Sequence, residues 1–152
     1  MQVCRKDTFY TTIDLASSVS AGGVMDASTV LWWMRQPDDA RAVFANGGQQ
    51  IAQALQDFAV WMQDRGDTDT VRVWGNGAAF DNVILASAYR ACRLPVPWRY
   101  YNDRCYRTVK AQHPATELRR FGTHHNALDD AESQARHLLA MLTADTVTRV
   151  FP

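Results

Sequence analysis

Apolar positions cluster or alternate in three short stretches of the chain and recur at helical spacing in five longer ones. Residues 8–15 (TFYTTIDL) are rich in β-branched and aromatic side chains, and residues 71–74 (VRVW) alternate ahead of a Gly-Asn-Gly break, so both predict strands. Residues 99–102 predict a third, short strand. Helical spacing runs over residues 28–36, 38–45, 49–65, 80–93 and 127–142. The pattern is clearest in the third of these, where Ile51, Leu55, Phe58 and Met62 form one stripe and Gly66 follows as a stop. Pro37 suits the first turn of the second, and Pro95 and Pro97 end the fourth. On the last helix Leu128, Ala131, Ala135, Leu138 and Leu142 fall on one face. Residues 67–70 and 113–122 predict loops, the second a mobile flap. Strands and helices thus mix along the chain, which predicts an α/β or α+β fold.

Length narrows this picture. A chain of 152 residues, 47% of them hydrophobic, closes one core of ordinary size, so residues 1–152 are expected to form a single domain. Cys4, Cys92 and Cys105 are odd in number and lack a C-x-x-C pair, which argues against a disulfide framework or structural zinc and fits a reducing cytoplasm. No window approaches the roughly 20 apolar residues of a membrane helix, and the start has no apolar run after its basic pair, so a soluble, unexported, cytoplasmic protein is expected.

Charge balances overall, with 16 basic and 16 acidic residues, but not locally. Residues 90–120 hold eight basic residues against Asp103 and Glu117, a local charge of +6 that leaves −6 elsewhere. Trp98, Tyr100, Tyr101, Tyr106 and Phe121 are interleaved with or follow these charges. Such a mix holds phosphates and stacks unpaired bases, or else forms a solvated helix face beside buried rings.

Two motifs carry chemistry. In HNALDD, His125 stands at a helix start and Asp130 five residues later. A histidine beside a carboxylate takes a proton from metal-bound water while the carboxylate fixes the metal; alternatively, Asp129 and Asp130 simply complement the helix dipole. In WGNGAAFDN, residues 74–82, a strand passes through a glycine turn into a helix that opens with Asp81, at the strand's carboxyl end. The missing third glycine excludes a dinucleotide fingerprint.

Together these stretches resemble the DEDDh 3'-5' exonucleases of the ribonuclease H-like fold, in particular their phage and prophage exoribonuclease subgroup. The resemblance rests on YTTIDL (10–15), TVLWW (29–33), VWGNGAAFDN (73–82), PWRYYNDR (97–104) and HNALDD (125–130). It implies an α/β fold with a mixed sheet flanked by helices, and two magnesium or manganese ions held by four acidic residues. Asp81 then matches the third acidic residue, His125 the general base and Asp130 the fourth acidic residue, with Asp129 adjacent. Arg99, Tyr101, Arg104 and Arg107 are the expected contacts to single-stranded nucleic acid, RNA or DNA.

The family's first motif, Asp-x-Glu on a strand, has no counterpart at the start of this sequence. The literal match Asp130-Ala-Glu132 falls on a predicted helix, where residues two apart diverge by about 200° and cannot pinch one ion. Two carboxylates and a neutral histidine are expected to hold at most one divalent ion weakly. The chain is therefore expected to be N-terminally truncated, lacking two strands, and inactive or impaired as a nuclease. The alternative is a non-catalytic phage-type protein, for example a counter-defence inhibitor, that reuses the fold to bind a protein or nucleic acid. An exposed sheet edge further predicts a homo-oligomer or a protein partner, with no membrane involvement.

Overall fold

Two aspartates start the first helices by the same device. The Asp14 carboxylate accepts from the Ser17 amide at 2.7 Å and opens α1 (Leu15–Ser20); the Asp26 carboxylate accepts from the Thr29 amide at 2.9 Å and opens α2 (Ala27–Met34). Hydrogen bonds from the Ser28 hydroxyl and then from Thr29 hold the Asp26 carboxyl below its usual range. After Pro37 a short α3 (Asp38–Arg41) tightens into a single 3-10 turn over Ala42–Phe44. The computed structural model from which these elements are drawn describes residues 8–45, 47–123 and 125–150, the last six for their backbone alone.

The expected long helix is present as α4 (Ile51–Gln63), which buries Leu55 and Met62 and half-buries Ile51 and Phe58, as its stripe predicts. It packs against α5 (Asp81–Ala91), where Tyr89 donates its hydroxyl to the Leu55 carbonyl at 2.7 Å. Leu55, Met62, Tyr89 and Trp98 form the larger core. Strand β1 (Val73–Gly75) precedes α5, and β2 (Asp103–Cys105) follows it; the two pair in parallel with Val73 opposite Asp103 and Gly75 opposite Cys105. Among the described residues this two-stranded parallel ribbon is the whole sheet, where a mixed sheet was expected.

Two strand expectations are corrected. Residues 8–14 contribute one isolated parallel bridge, Ile13 to Gln49, and Leu15 already belongs to α1 because Asp14 caps that helix. Residues 100–102 form a 3-10 turn, with β2 beginning at Asp103, because Asn102 turns back to donate its side-chain amide to the Asp69 carbonyl at 2.8 Å. A helix that the sequence pattern missed, α6 (Tyr106–Gln112), follows β2 directly and packs on α7 (Ala127–Val150). The second core lies between them: Tyr106, Leu138 and Met141 with Val109.

The buried face of α7 is turned from the expected one. Glu132, Ser133, His137, Leu138 and Met141 are buried, while Ala131 and Leu142 are exposed. Among the described residues no helix is long and apolar enough to cross a membrane.

Candidate active site

The first candidate region is the corner where β1 turns into α5. Gly77 adopts φ 125°, a conformation suited to glycine, and its carbonyl accepts from the amides of Phe80 (2.7 Å) and Asp81 (3.0 Å), folding residues 77–81 into the first turn of the helix. A β-carbon on Gly75 would overlap the Asn82 side-chain oxygen and stand 3.0 Å from the Asp81 β-carbon, so only glycine lets α5 start this close to the strand. Buried Asn82 locks the corner: its amide nitrogen donates to the Val73 carbonyl at 3.1 Å and to the Asp103 carboxylate at 2.7 Å. The same Asp103 oxygen accepts from the Trp98 indole at 2.8 Å, which ties β1, α5, β2 and the segment before β2 to one carboxylate.

Asp81 is held beside Gly75 by this packing and is exposed. It borders a mainly apolar cleft of about 420 Å³ with Phe9, Ile13, Phe80 and Ile84. Across the turn Arg107 donates to the Asn76 carbonyl at 2.9 Å, with its guanidinium against Gly77. Cys105, opposite Gly75, has a thiol lowered to about 7, chiefly by a hydrogen bond from the Thr108 hydroxyl and then by the Ala78 and Thr108 amides.

The second region is the start of α7. His125 has a φ of 67°, and its ring meets Trp32 edge-on at 5.0 Å between centroids, with Trp33 at 6.5 Å. It lines a cleft of about 820 Å³ with Tyr10, Asp14, Trp33, Asp39 and Phe44. Asn126 caps α7, accepting from the amides of Leu128 and Asp129 at 3.1 and 3.2 Å. Asp129 turns back to accept from the Thr123 amide at 2.8 Å, and Asp130 accepts from Arg120 at 2.9 Å.

Asp81 and His125 border neighbouring clefts that share Thr11 and Ile13, and Asp130 faces a guanidinium. Among the described residues no three histidine, cysteine, aspartate or glutamate side chains are grouped to hold a metal ion. The basic residues are also divided. Arg99 pairs with Asp69, which raises its pKa further, and it lies at the amino end of β2 beside Tyr100 and Tyr101. Arg104 donates to the carbonyls of Tyr101 and Asp103, both at 2.9 Å. Arg107 lies at the carboxyl end of the ribbon, against the turn that leads to Asp81. Of the five interleaved rings, Trp98 and Tyr106 are buried, whereas Tyr100, Tyr101 and Phe121 are exposed.

Residues 4–142 match the sequence model of a family described as the 3'-5' exoribonuclease Rv2179c-like domain. The chain belongs to this family. No curated protein and no solved structure matches it at a significant level. Membership in this exoribonuclease family gives the chain a 3'-5' exonuclease-like function.

The divalent ions implied by the resemblance call for converging oxygen donors. Asp81 and Asp130 are of the right chemical kind. Their arrangement does not fit a close pair of ions, since Asp130 is already neutralised by Arg120 and no third ligand joins either carboxylate among the described residues. Sequence reasoning assigned no role of their own to Arg120, Asn82 and Cys105. The aspartate-asparagine pair after a glycine turn was the available signal for Asn82; Arg120 counted in the basic stretch, but nothing in the linear pattern pointed to its pairing with Asp130.

Proposed function

We propose that this chain is a DEDDh-type exonuclease-like domain with a ribonuclease H-like architecture that engages single-stranded nucleic acid. Hydrolysis by it is impaired in the arrangement described. One observation carries the binding part: Tyr100 is 83% and Tyr101 56% exposed, at the heart of the most basic stretch of the chain. Burying an aromatic ring is favourable, so two adjacent exposed tyrosines flanked by Arg99 and Arg104 suit a surface that gains cover from unpaired bases while the guanidinium groups meet phosphates.

The impaired chemistry is supported by the lack, among the described residues, of any group of three metal-ligating side chains, and by the pairing of Asp130 with Arg120. Asp81 and Asp130 would supply carboxylate oxygens to a divalent ion, which provides Lewis acid and activated water when bound, and His125 would hold the proton. Two carboxylates, one of them already paired to Arg120, are too few to balance two ions. The lack of such a group favours a second role, in which the fold serves as a non-catalytic binding surface.

Fluorescence anisotropy with labelled single-stranded RNA and DNA tests the binding. Tyr100→Ala with Tyr101→Ala is expected to weaken affinity about tenfold or more, by analogy with the ~1–3 kcal/mol per stacked base in such sites. Arg104→Glu with Arg107→Glu is expected to flatten the dependence of affinity on salt. Unchanged affinity and unchanged slope would refute the interface. Magnesium-dependent shortening of end-labelled RNA by the wild type, absent in Asp81→Ala, would refute the impairment.

A further inference from the structure

Residues 67–70 lie between α4 and β1 and meet the turn that presents the two exposed tyrosines. Asp67 shapes this loop. Its carboxylate accepts from the Asp69 amide at 2.7 Å, and its carbonyl accepts from the amides of Thr70 and Val71 at 3.0 and 2.9 Å. Asp69 is thereby placed beside residues 99–102 and meets them twice. Its carbonyl accepts from the side-chain amide of buried Asn102 at 2.8 Å, and its carboxylate accepts from Arg99 Nε at 2.5 Å. The backbone contact braces the turn, whereas the side-chain contact occupies a guanidinium. With Trp98 buried before Arg99 and Asn102 buried after Tyr101, residues 99–101 stand out from a turn anchored at both ends.

The Arg99 and Asp69 side chains are 54% and 60% exposed, so an anion in solvent can reach the pair. We propose that Asp69 is an internal competitor for the nucleic-acid phosphate, releasing Arg99 to a phosphate carried by a base that stacks on Tyr100 or Tyr101. The gate rests on these tyrosines engaging single-stranded nucleic acid, as under the proposed function. A free phosphate has to displace a carboxylate already in place, and in water it gains little by the exchange. A phosphate joined to a stacked base arrives at the high effective concentration of a tethered partner and displaces the carboxylate. Asp69 thus makes stacking, rather than charge alone, the condition for using Arg99. An ion pair this exposed limits the effect of the competitor to about fivefold in affinity.

The test uses the full chain in EDTA, with fluorescein-labelled oligouridine followed by anisotropy and the Arg99 Nε–H resonance followed by NMR. Asp69→Asn keeps the carbonyl that Asn102 needs and removes only the charge. It is expected to bind oligouridine about two- to fivefold more tightly than the wild type. In an Arg99→Gln background the same substitution is expected to change affinity little, because the competitor has nothing left to hold. The Arg99 Nε–H signal of the free wild type is expected to differ from that of Asp69→Asn. It should move when oligouridine is added and stay in place with inorganic phosphate at the same phosphate concentration. Unchanged or weaker binding by Asp69→Asn, equal tightening with and without Arg99, or a signal that inorganic phosphate moves as far as oligouridine does would overturn the gate. Any of these results, with binding still weakened by Tyr100→Ala with Tyr101→Ala, overturns the gate and leaves the nucleic-acid surface standing. Affinity indifferent to the two tyrosines removes that surface and the gate with it.

Discussion

Tyr89 shows how one side chain joins packing to titration. It is 1% exposed, and burial pushes its phenol up to about 12. Because the folded value lies above the ordinary one near 10, the neutral phenol's contribution is complete below about pH 10 and is lost as pH rises towards about 12. Tyr89→Phe is expected to cost about 1 kcal/mol at neutral pH through the lost bond to the Leu55 carbonyl. It should also flatten the fall in stability above pH 10. Urea unfolding at pH 7 and at pH 10–11 checks both; a variant as pH-sensitive as the wild type in the alkaline range would contradict the assignment. Tyr89 lies within the helix that the sequence predicts over residues 80–93, but its burial and its partner were illegible, since a backbone carbonyl leaves no mark on composition.

At the scale of elements, the β1–α5 corner depends on an absent atom. Gly75→Ala pushes a β-carbon into Asn82 and Asp81, so the first turn of α5 has to shift and the bonds from Asn82 to Val73 and Asp103 loosen. An expected loss of about 1–3 kcal/mol in denaturant unfolding follows. Gly66→Ala is the control, since its β-carbon would meet Val71 at an ordinary 3.6 Å and should change stability little. Equal effects of the two substitutions would contradict the close approach. Elements set by a 3.6-residue stripe, α4 above all, were legible in the sequence. Strand β2 was not: Asp103, Arg104 and Cys105 have no apolar alternation, and their place in the sheet is decided by what Asn82 and Trp98 donate to Asp103. On α7 the expected apolar face holds in part, with Leu138 buried and Leu128 and Ala135 half-buried, and is rotated towards Ser133 and His137 because hydropathy cannot register polar side chains that another segment satisfies. Asp81 and Asp130 were correctly expected on helices, whereas the pairing of Asp130 with Arg120 is a property of the assembled chain.

At the scale of the whole molecule, large apolar side chains remain exposed on several elements, α2 and α5 among them. Val30, Leu31, Trp32 and Met34 are exposed on α2, and Phe80, Val83 and Ile84 at the start of α5. Exposed apolar clusters of this kind favour association, and we propose that copies of the chain pair through them. Light scattering on a size-exclusion column is expected to give a mass above that of the monomer, reduced by Leu31→Glu or Ile84→Glu. A monodisperse monomer at high concentration would exclude pairing.

The parallel register of β1 and β2 has a directional consequence. Tyr100 and Tyr101 stand before the first residue of the ribbon, whereas Arg107 and the Asp81 turn stand beyond its last, about 10 Å further along the strands. A polymer gripped at both places has to follow the strand axis, so its hold on the protein grows with its length until both grips are filled.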